Sequence, residues 1–443
     1  MSAADAGAGP LRLFAEGPLS GLAPEARRHL LERAPADEPR VAEQVAALMD
    51  DVRRRGDAAL LDMARRFDGV TLPALEVPRQ AWDAAVAALD PEVRRALERA
   101  AANIRRFHQA QLPSDVTLEV EPGVRVTRRW TPLERVGVYA PGGRAAYPSS
   151  VLMGVVPARA AGVGEVVVCS PPGPGGAPPR EVLAACALGG ADRLFAVGGA
   201  GAVAALAFGT ASVPAVDAIV GPGNRWVTEA KRQVAGRVLI DSPAGPSEVL
   251  VLADASADPE RVAREILAQA EHDPDAACVA VLAGPGAEAL AGRVRAEVAR
   301  QLATAPRRDV AAAALAYAGA VLTASTLGEA VAFTRAYAPE HLSVMTADAA
   351  GVASRVTTAG TTFVGPWASV AFGDYLTGAN HVLPTAGRAR SFSGLSTQHY
   401  LRSYTVQEIT AEGAASMAGD VAALAIAEGL PAHAEAARAR RGP

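Results

Sequence analysis

RVGVYAPGG, residues 135–143, is a short apolar run that stops in a proline and two glycines. The run suits a buried strand, and the glycines suit a tight turn that another group can approach closely. The same form returns three times: EVVVCSPPG at 165–173, RLFAVGG at 193–199 and AIVGPGN at 218–224. Ala-rich helical stretches at 148–161 and 201–209 lie between them. Strand, glycine turn and helix in repetition are the sequence form of βαβ units, whose parallel sheet is covered on both faces.

Working outward, a second alternation begins at SEVLVLAD, residues 247–254. Asp258 and Pro259 open a helix through ERVAREILAQAEH, and AACVAVLAG and AGAVLTAS read as strands. Thr326-Leu327-Gly328-Glu329 has capping-box spacing and starts a further helix, which Pro339 should end. EHLSVMT and TTFVG then read as strands. Upstream, 39–112 reads as helices, with Asp90 as N-cap and Pro91 at the first helical position of one of them. After about residue 384 the sheet pattern fades into a loop-like stretch and an Ala-rich helical tail over 413–441. At 443 residues the chain exceeds a single core, which stops growing near about 250–300 residues. The expected class is α/β, with two Rossmann-like lobes. The expected division is an arm over 1–38, a first lobe from 39–138 with 249–383, a second lobe over 139–248, and a tail over 384–443.

The bulk composition narrows the function classes. Half the residues are hydrophobic, a fifth are charged, and the net charge is −4. No basic block of the length expected for nucleic acid appears. Cys169, Cys186 and Cys278 form no CxxC pair and lie in apolar runs, which reads as buried and inert. The N-terminus lacks the features of a secretory signal, and no 18-residue apolar run is free of charge or turn signals. A cytoplasmic protein is expected.

Three clusters can carry chemistry. Glu340 and His341 adjoin at a helix–strand junction, and ligands of open α/β sheets sit at strand ends, by preference the carboxyl ends. An imidazole titrates near neutrality and can take a proton from an alcohol or a water. Gln269 and His272, three apart near the end of one helix, form half of a metal site, and the negative helix terminus favours a cation. Asp374, with His381 seven residues on, and His433, five after Glu428, are further candidates. Two His, one Asp and one Gln would suit zinc, with manganese or cobalt as alternatives, although spacing alone does not bring the four together. His29, His108 and His399 read as structural or exposed. Gly199-x-Gly201-x-x-Ala204 has the form of a dinucleotide turn, with Asp217 downstream, and Gly221–Asn224 could admit a phosphate.

The stretches RVGVYAPGG, GPGNRWVTEAKRQV, DSPAGPSEVLVLAD, QAEHDPDA, APEHLSV, GDYLTGANHVLPT and GLPAHAEAA, in that order, resemble the motifs of the histidinol dehydrogenase family. The resemblance runs from about residue 40 to His433. It implies an NAD-dependent oxidation of L-histidinol to L-histidine by a homodimer with one zinc ion per subunit. By resemblance, Gln269, His272, Asp374 and His433 are the zinc ligands, and Glu340 and His341 the acid/base pair. Ser247 and Glu428 hold the substrate, beside the metal ligands and His341. Tyr139 and Asn224 match NAD contacts. Gly201 stands where the family has a glutamine that contacts NAD. The resemblance also implies a swapped tail, with His433 completing the metal site of the second copy. Two rival classes are weaker. A zinc hydrolase would need a dense ligand motif such as HExxH, which is absent, and a two-lobed binding protein would leave the Glu-His pair idle.

Overall fold

The computed structural model describes residues 11–33, 39–142, 146–242 and 245–441. Two parallel sheets dominate. One is built from Arg135–Tyr139, Glu165–Ser170, Arg193–Ala196, Ala218–Val220 and Leu239–Ile240. Counted along the chain, its strands lie in the spatial order third, second, first, fourth, fifth, and every pairing is parallel. The other takes Glu248–Asp254, Ala277–Ala283, Gly319–Ala324, His341–Met345 and Thr361–Val364 in the same order, again all parallel. Ala15–Pro18 adds a parallel edge strand to it beside Gly319–Ala324. The expected α/β class with two Rossmann-like lobes is therefore what the chain forms. The central strands are buried along nearly their whole length because helices cover both faces.

The helices start and stop where the local chemistry directs. Asp90 caps Pro91–Gln109, accepting from the amides of Glu92 and Val93, and Asp258 caps Pro259–Ala270. Thr326 caps Leu327–Tyr337, and the helix stops at Ala338, a non-glycine residue with φ of 49°, just before Pro339. Such a conformation costs on the order of 1–3 kcal/mol and clusters at functional sites.

Two expectations are corrected. The sequence places the helices from Pro39 to Gln109 in the first lobe, with 249–383. Instead Val45, Met49, Leu60, Trp82 and Ile104 share one core with Val136, Val168, Leu194 and Leu206 of the second lobe, and the 249–383 lobe has separate cores. Helical amphipathicity fixes which face of a helix is buried, not which sheet buries it. The sheet pattern also does not end at residue 384. Leu401–Ile409 pairs antiparallel with Val124–Pro132, which pairs with Val116–Glu121, in a third, three-stranded sheet. This sheet is largely exposed on both faces, so its strands lack the apolar run that marked the others. The helices Ala411–Ala427 and Pro431–Arg438 follow and pack on each other through Ala422, Ala425 and Ala434. No helix among the described residues is long and apolar enough to cross a membrane.

Candidate active site

Glu340 and His341 enter the His341–Met345 strand at its amino end, and Ser247 and Glu248 enter the adjacent strand at the same end. The site therefore lies at the amino ends of its sheet, opposite to the usual ligand side of an open α/β sheet. The two junctions lock each other. Glu340 Oε2 accepts from the Glu248 amide at 2.7 Å and from Ser247 Oγ at 2.7 Å. In return the Glu340 amide donates to Glu248 Oε1 at 3.1 Å. Among the described residues, Glu340 Oε1 makes no hydrogen bond.

His341 Nδ1 lies 3.0 Å from the Glu248 carbonyl oxygen. A carbonyl only accepts, so Nδ1 carries the proton and, in the neutral ring, Nε2 carries the lone pair. Nε2 is buried without a hydrogen-bond partner and lies 3.5 Å from Asp374 Oδ1. Burial opposes charge on the imidazole, but the Glu340 and Asp374 carboxylates outweigh it and hold His341 well above its ordinary value. Burial would likewise raise Asp374. The close His341 imidazole, with the fields of His381 and His272, holds its carboxyl below the usual range instead.

Asp374 rides on the short helix Val370–Tyr375. The N-terminus of that helix is held by Glu265, whose carboxylate accepts from Ser369 Oγ at 2.6 Å and from the Val370 amide at 2.9 Å. Gln269 lies one turn further along the Glu265 helix. It is buried, and neither its Oε1 nor its Nε2 has a partner. An unsatisfied buried amide group costs about 1–3 kcal/mol, so this pair of orphan atoms asks for a ligand. His272 lies two residues past the end of that helix, exposed, and close enough for its charge to act on Asp374. His381 Nδ1 bonds the Asp374 carbonyl oxygen at 3.0 Å, and its Nε2 lies 3.3 Å from Ser150 Oγ.

Behind this constellation sits a buried ion pair. Arg33 Nε and Nη2 donate to Glu248 Oε2 and Oε1 at 2.6 and 2.8 Å. Arg33 also donates to the carbonyls of Leu30 and Tyr337, and its guanidinium stacks 3.4 Å from the centre of the Tyr337 ring. The Tyr337 carbonyl closes the helix that leads into Glu340, so Arg33 grips both junctions at once.

In the second lobe the strand order reverses between Arg135–Tyr139 and Ala218–Val220, and the carboxyl ends of strands at such a switch point are where open α/β sheets bind ligands. Tyr139 Oη accepts from the Gly199 amide at 3.2 Å, at the start of the helix Gly199–Phe208. Asn224 caps the helix Arg225–Val234 by accepting from the amides of Trp226 and Val227.

The sequence profile of the histidinol dehydrogenase family matches residues 31–441. The chain is 45% identical to the histidinol dehydrogenase of Methanosarcina barkeri over 425 residues, 96% of this chain and 97% of that one. The chain belongs to the histidinol dehydrogenase family. It is also 48% identical over 421 residues to the histidinol dehydrogenase of Mycobacterium tuberculosis, covering 93% of this chain and 94% of that one. A crystal structure of histidinol dehydrogenase from Elizabethkingia anophelis matches with a TM-score of 0.90 at 33% identity, over 96% of this chain and 98% of that one.

Of the residues singled out by the likeness to histidinol dehydrogenase, the fold links Ser247, Glu340, His341 and Asp374 directly, with Gln269 buried nearby and His272 at its helix end. Glu428 and His433 are exposed on the tail helices. Among the described residues, no group of three His, Cys, Asp or Glu side chains could hold a metal, so one chain does not bring His433 to His272 and Asp374. Gly201 is a packing position: a Cβ there would lie 2.9 Å from Met63 Sδ and 3.3 Å from Leu60 Cδ2. The sequence reading missed Arg33, Glu248 and Glu265. Only Glu265 carried a signal, its spacing of four residues before Gln269 on one helix face.

Proposed function

We propose that this chain oxidises L-histidinol to L-histidine through bound L-histidinal, passing two hydrides to two NAD⁺. The observation that carries the reading is the His341 ring, whose Nδ1 is tied to a main-chain carbonyl while its buried Nε2 is left without a partner. In the first oxidation His341 Nε2 takes the alcohol proton as the carbinol carbon gives hydride to NAD⁺, which leaves the aldehyde. In the second, Glu340 takes a proton from water as the water oxygen adds to the aldehyde carbon. The hydrated aldehyde then gives its hydride to a second NAD⁺ and becomes the carboxylate. Overall, one histidinol, one water and two NAD⁺ give one histidine, two NADH and three protons. The reciprocal Glu248–Glu340 bonds keep both groups in place through both steps, since misplacing a reacting group by about 1 Å can cost 10²-fold.

Gln269, His272 and Asp374 suit a zinc ion, and the unpartnered Gln269 amide is the observation in favour. A zinc ion there would hold nitrogens of the substrate and offset the Asp374 carboxylate beside His341. The fourth ligand would be His433 of a second copy in a homodimer, with Glu428 of that copy against the substrate. The exposed side chains of Leu424, Ile426 and Leu430 on the tail helices support such an interface. NAD⁺ would lie at the switch point of the second lobe, by Tyr139 and Asn224, with its pyrophosphate near helix N-termini.

The test is NADH absorbance on adding L-histidinol, with and without a chelator. Two NADH per histidinol, abolished by the chelator and restored by zinc, is expected. No NADH at saturating NAD⁺ and zinc would overturn the reading.

A further inference from the structure

Of the 43 Lys and Arg residues in this chain, one is a lysine, Lys231. It is also buried. It sits on the helix Arg225–Val234 and pairs with Asp241, with 6% and 3% of the two side chains exposed. Its Nζ donates to Asp241 Oδ1 and, at 3.1 Å, to the Gly221 carbonyl oxygen. Asp241 Oδ2 accepts from the Gly221 amide at 2.8 Å. Both main-chain polar groups of Gly221 are thus held by this one ion pair.

Gly221 is the first residue beyond the Ala218–Val220 strand, at the point where the strand order of the second lobe reverses. Its φ is +114°, and a Cβ on it would lie 2.1 Å from the Tyr139 carbonyl oxygen. The turn Gly221–Asn224 is therefore pressed against the end of the neighbouring strand, and it delivers Asn224 to its helix cap.

Stability alone gives this pair little reason to exist. Replacing a buried ion pair by apolar side chains of similar size is often neutral or stabilising. What an apolar pair cannot do is hold an amide and a carbonyl of the same glycine at once. An arginine is a poor substitute, because its planar fork is larger than the compact ammonium and directs its donors differently. Here a single ammonium meets both Asp241 and the Gly221 carbonyl oxygen.

We propose that Lys231 and Asp241 are positioning residues for the dinucleotide: they fix the Gly221–Asn224 turn against Tyr139 so that its backbone can lie against an anionic pyrophosphate. This rests on the reading of the second lobe as the NAD⁺ lobe.

The experiment is a fluorescence titration of NADH into the zinc-loaded dimer, with KM measured for both substrates. The variants are Lys231→Arg, Lys231→Met and Lys231→Met with Asp241→Asn. The double variant leaves no unpaired buried charge, and so decides the matter where Lys231→Met fails to fold. The expected result is NADH affinity and NAD⁺ KM worse by about tenfold or more in both Met variants, with histidinol KM within about twofold. Lys231→Arg restores less than half of the loss. A folded double variant that binds NADH as tightly as the parent overturns the proposal, and so does equal weakening of NADH and histidinol, which marks general loosening. A parent that does not bind NADH at all overturns the NAD⁺ reading itself, a result separable from the others because no variant is needed to see it.

Discussion

Arg33→Met removes the cation from the ion pair behind the candidate active site. In the parent, Arg33 and Glu248 have side chains 6% and 2% exposed and meet through two short bonds. The variant leaves the Glu248 carboxylate buried without its cation, beside the carboxylate of Glu340. Breaking a buried pair from one side costs about 3–5 kcal/mol. The variant also loses the hydrogen bonds to the Leu30 and Tyr337 carbonyls, each worth about 0.5–1.5 kcal/mol, and the stack on Tyr337. The loss therefore falls toward the upper end of that range. Adding Glu248→Gln removes the stranded charge, while the new amide oxygen can still accept from the Glu340 amide. The double variant should recover a large part of the loss. The assay is urea unfolding followed by far-UV circular dichroism at fixed protein concentration, with turnover measured on folded protein. The single variant should unfold at clearly lower urea than the double, and its turnover should fall about tenfold as the Glu340–His341 junction loosens. An Arg33→Met midpoint equal to that of the parent would refute the reasoning, because the pair would then carry none of the energy assigned to it.

His341→Asn should lower turnover by about 10²–10⁴-fold while histidinol affinity, measured by calorimetry, stays near that of the parent. Glu340→Gln should slow oxidation of added histidinal more than oxidation of histidinol, and equal slowing of the two would contradict the division of labour. A chain ending at residue 410 should keep most of its far-UV signal but sediment as a monomer and produce no NADH, since the buried cluster of its tail helices, Ala422, Ala425 and Ala434, is separate from the main cores. Burial pushes all three thiols up from their ordinary value, so iodoacetamide at neutral pH should leave the folded protein unlabelled and label it in urea. Labelling of the native chain would show that one of these cores opens.

Much of the fold was legible because its signals are local. The apolar runs at 136–139, 166–169 and 249–253 are strands, and the Asp258, Thr326 and Pro339 punctuation sits where the helices begin and end. The Glu340–His341 pair was legible as a candidate for the same reason: the two are neighbours in the chain, just past a helix stop. The helices of 39–109 were placed on the wrong lobe because amphipathicity marks a buried face without naming its partner. The Leu401–Ile409 strand was missed because its partner lies some 280 residues upstream in a sheet that is wet on both sides, where no alternation is imposed.

By itself, then, the sequence determined the two alternating lobes and the glycine turns, set by steric and hydrogen-bonding rules that act over a few residues, and it named the candidate site residues. Only the tertiary structure decided that the candidate site lies at the amino ends of its sheet. It alone decided that Arg33 clamps two junctions more than two hundred residues away in sequence, and that one lysine holds both polar groups of Gly221. Those arrangements depend on which buried groups lack any other partner once the chain has closed, and no window of sequence contains that information.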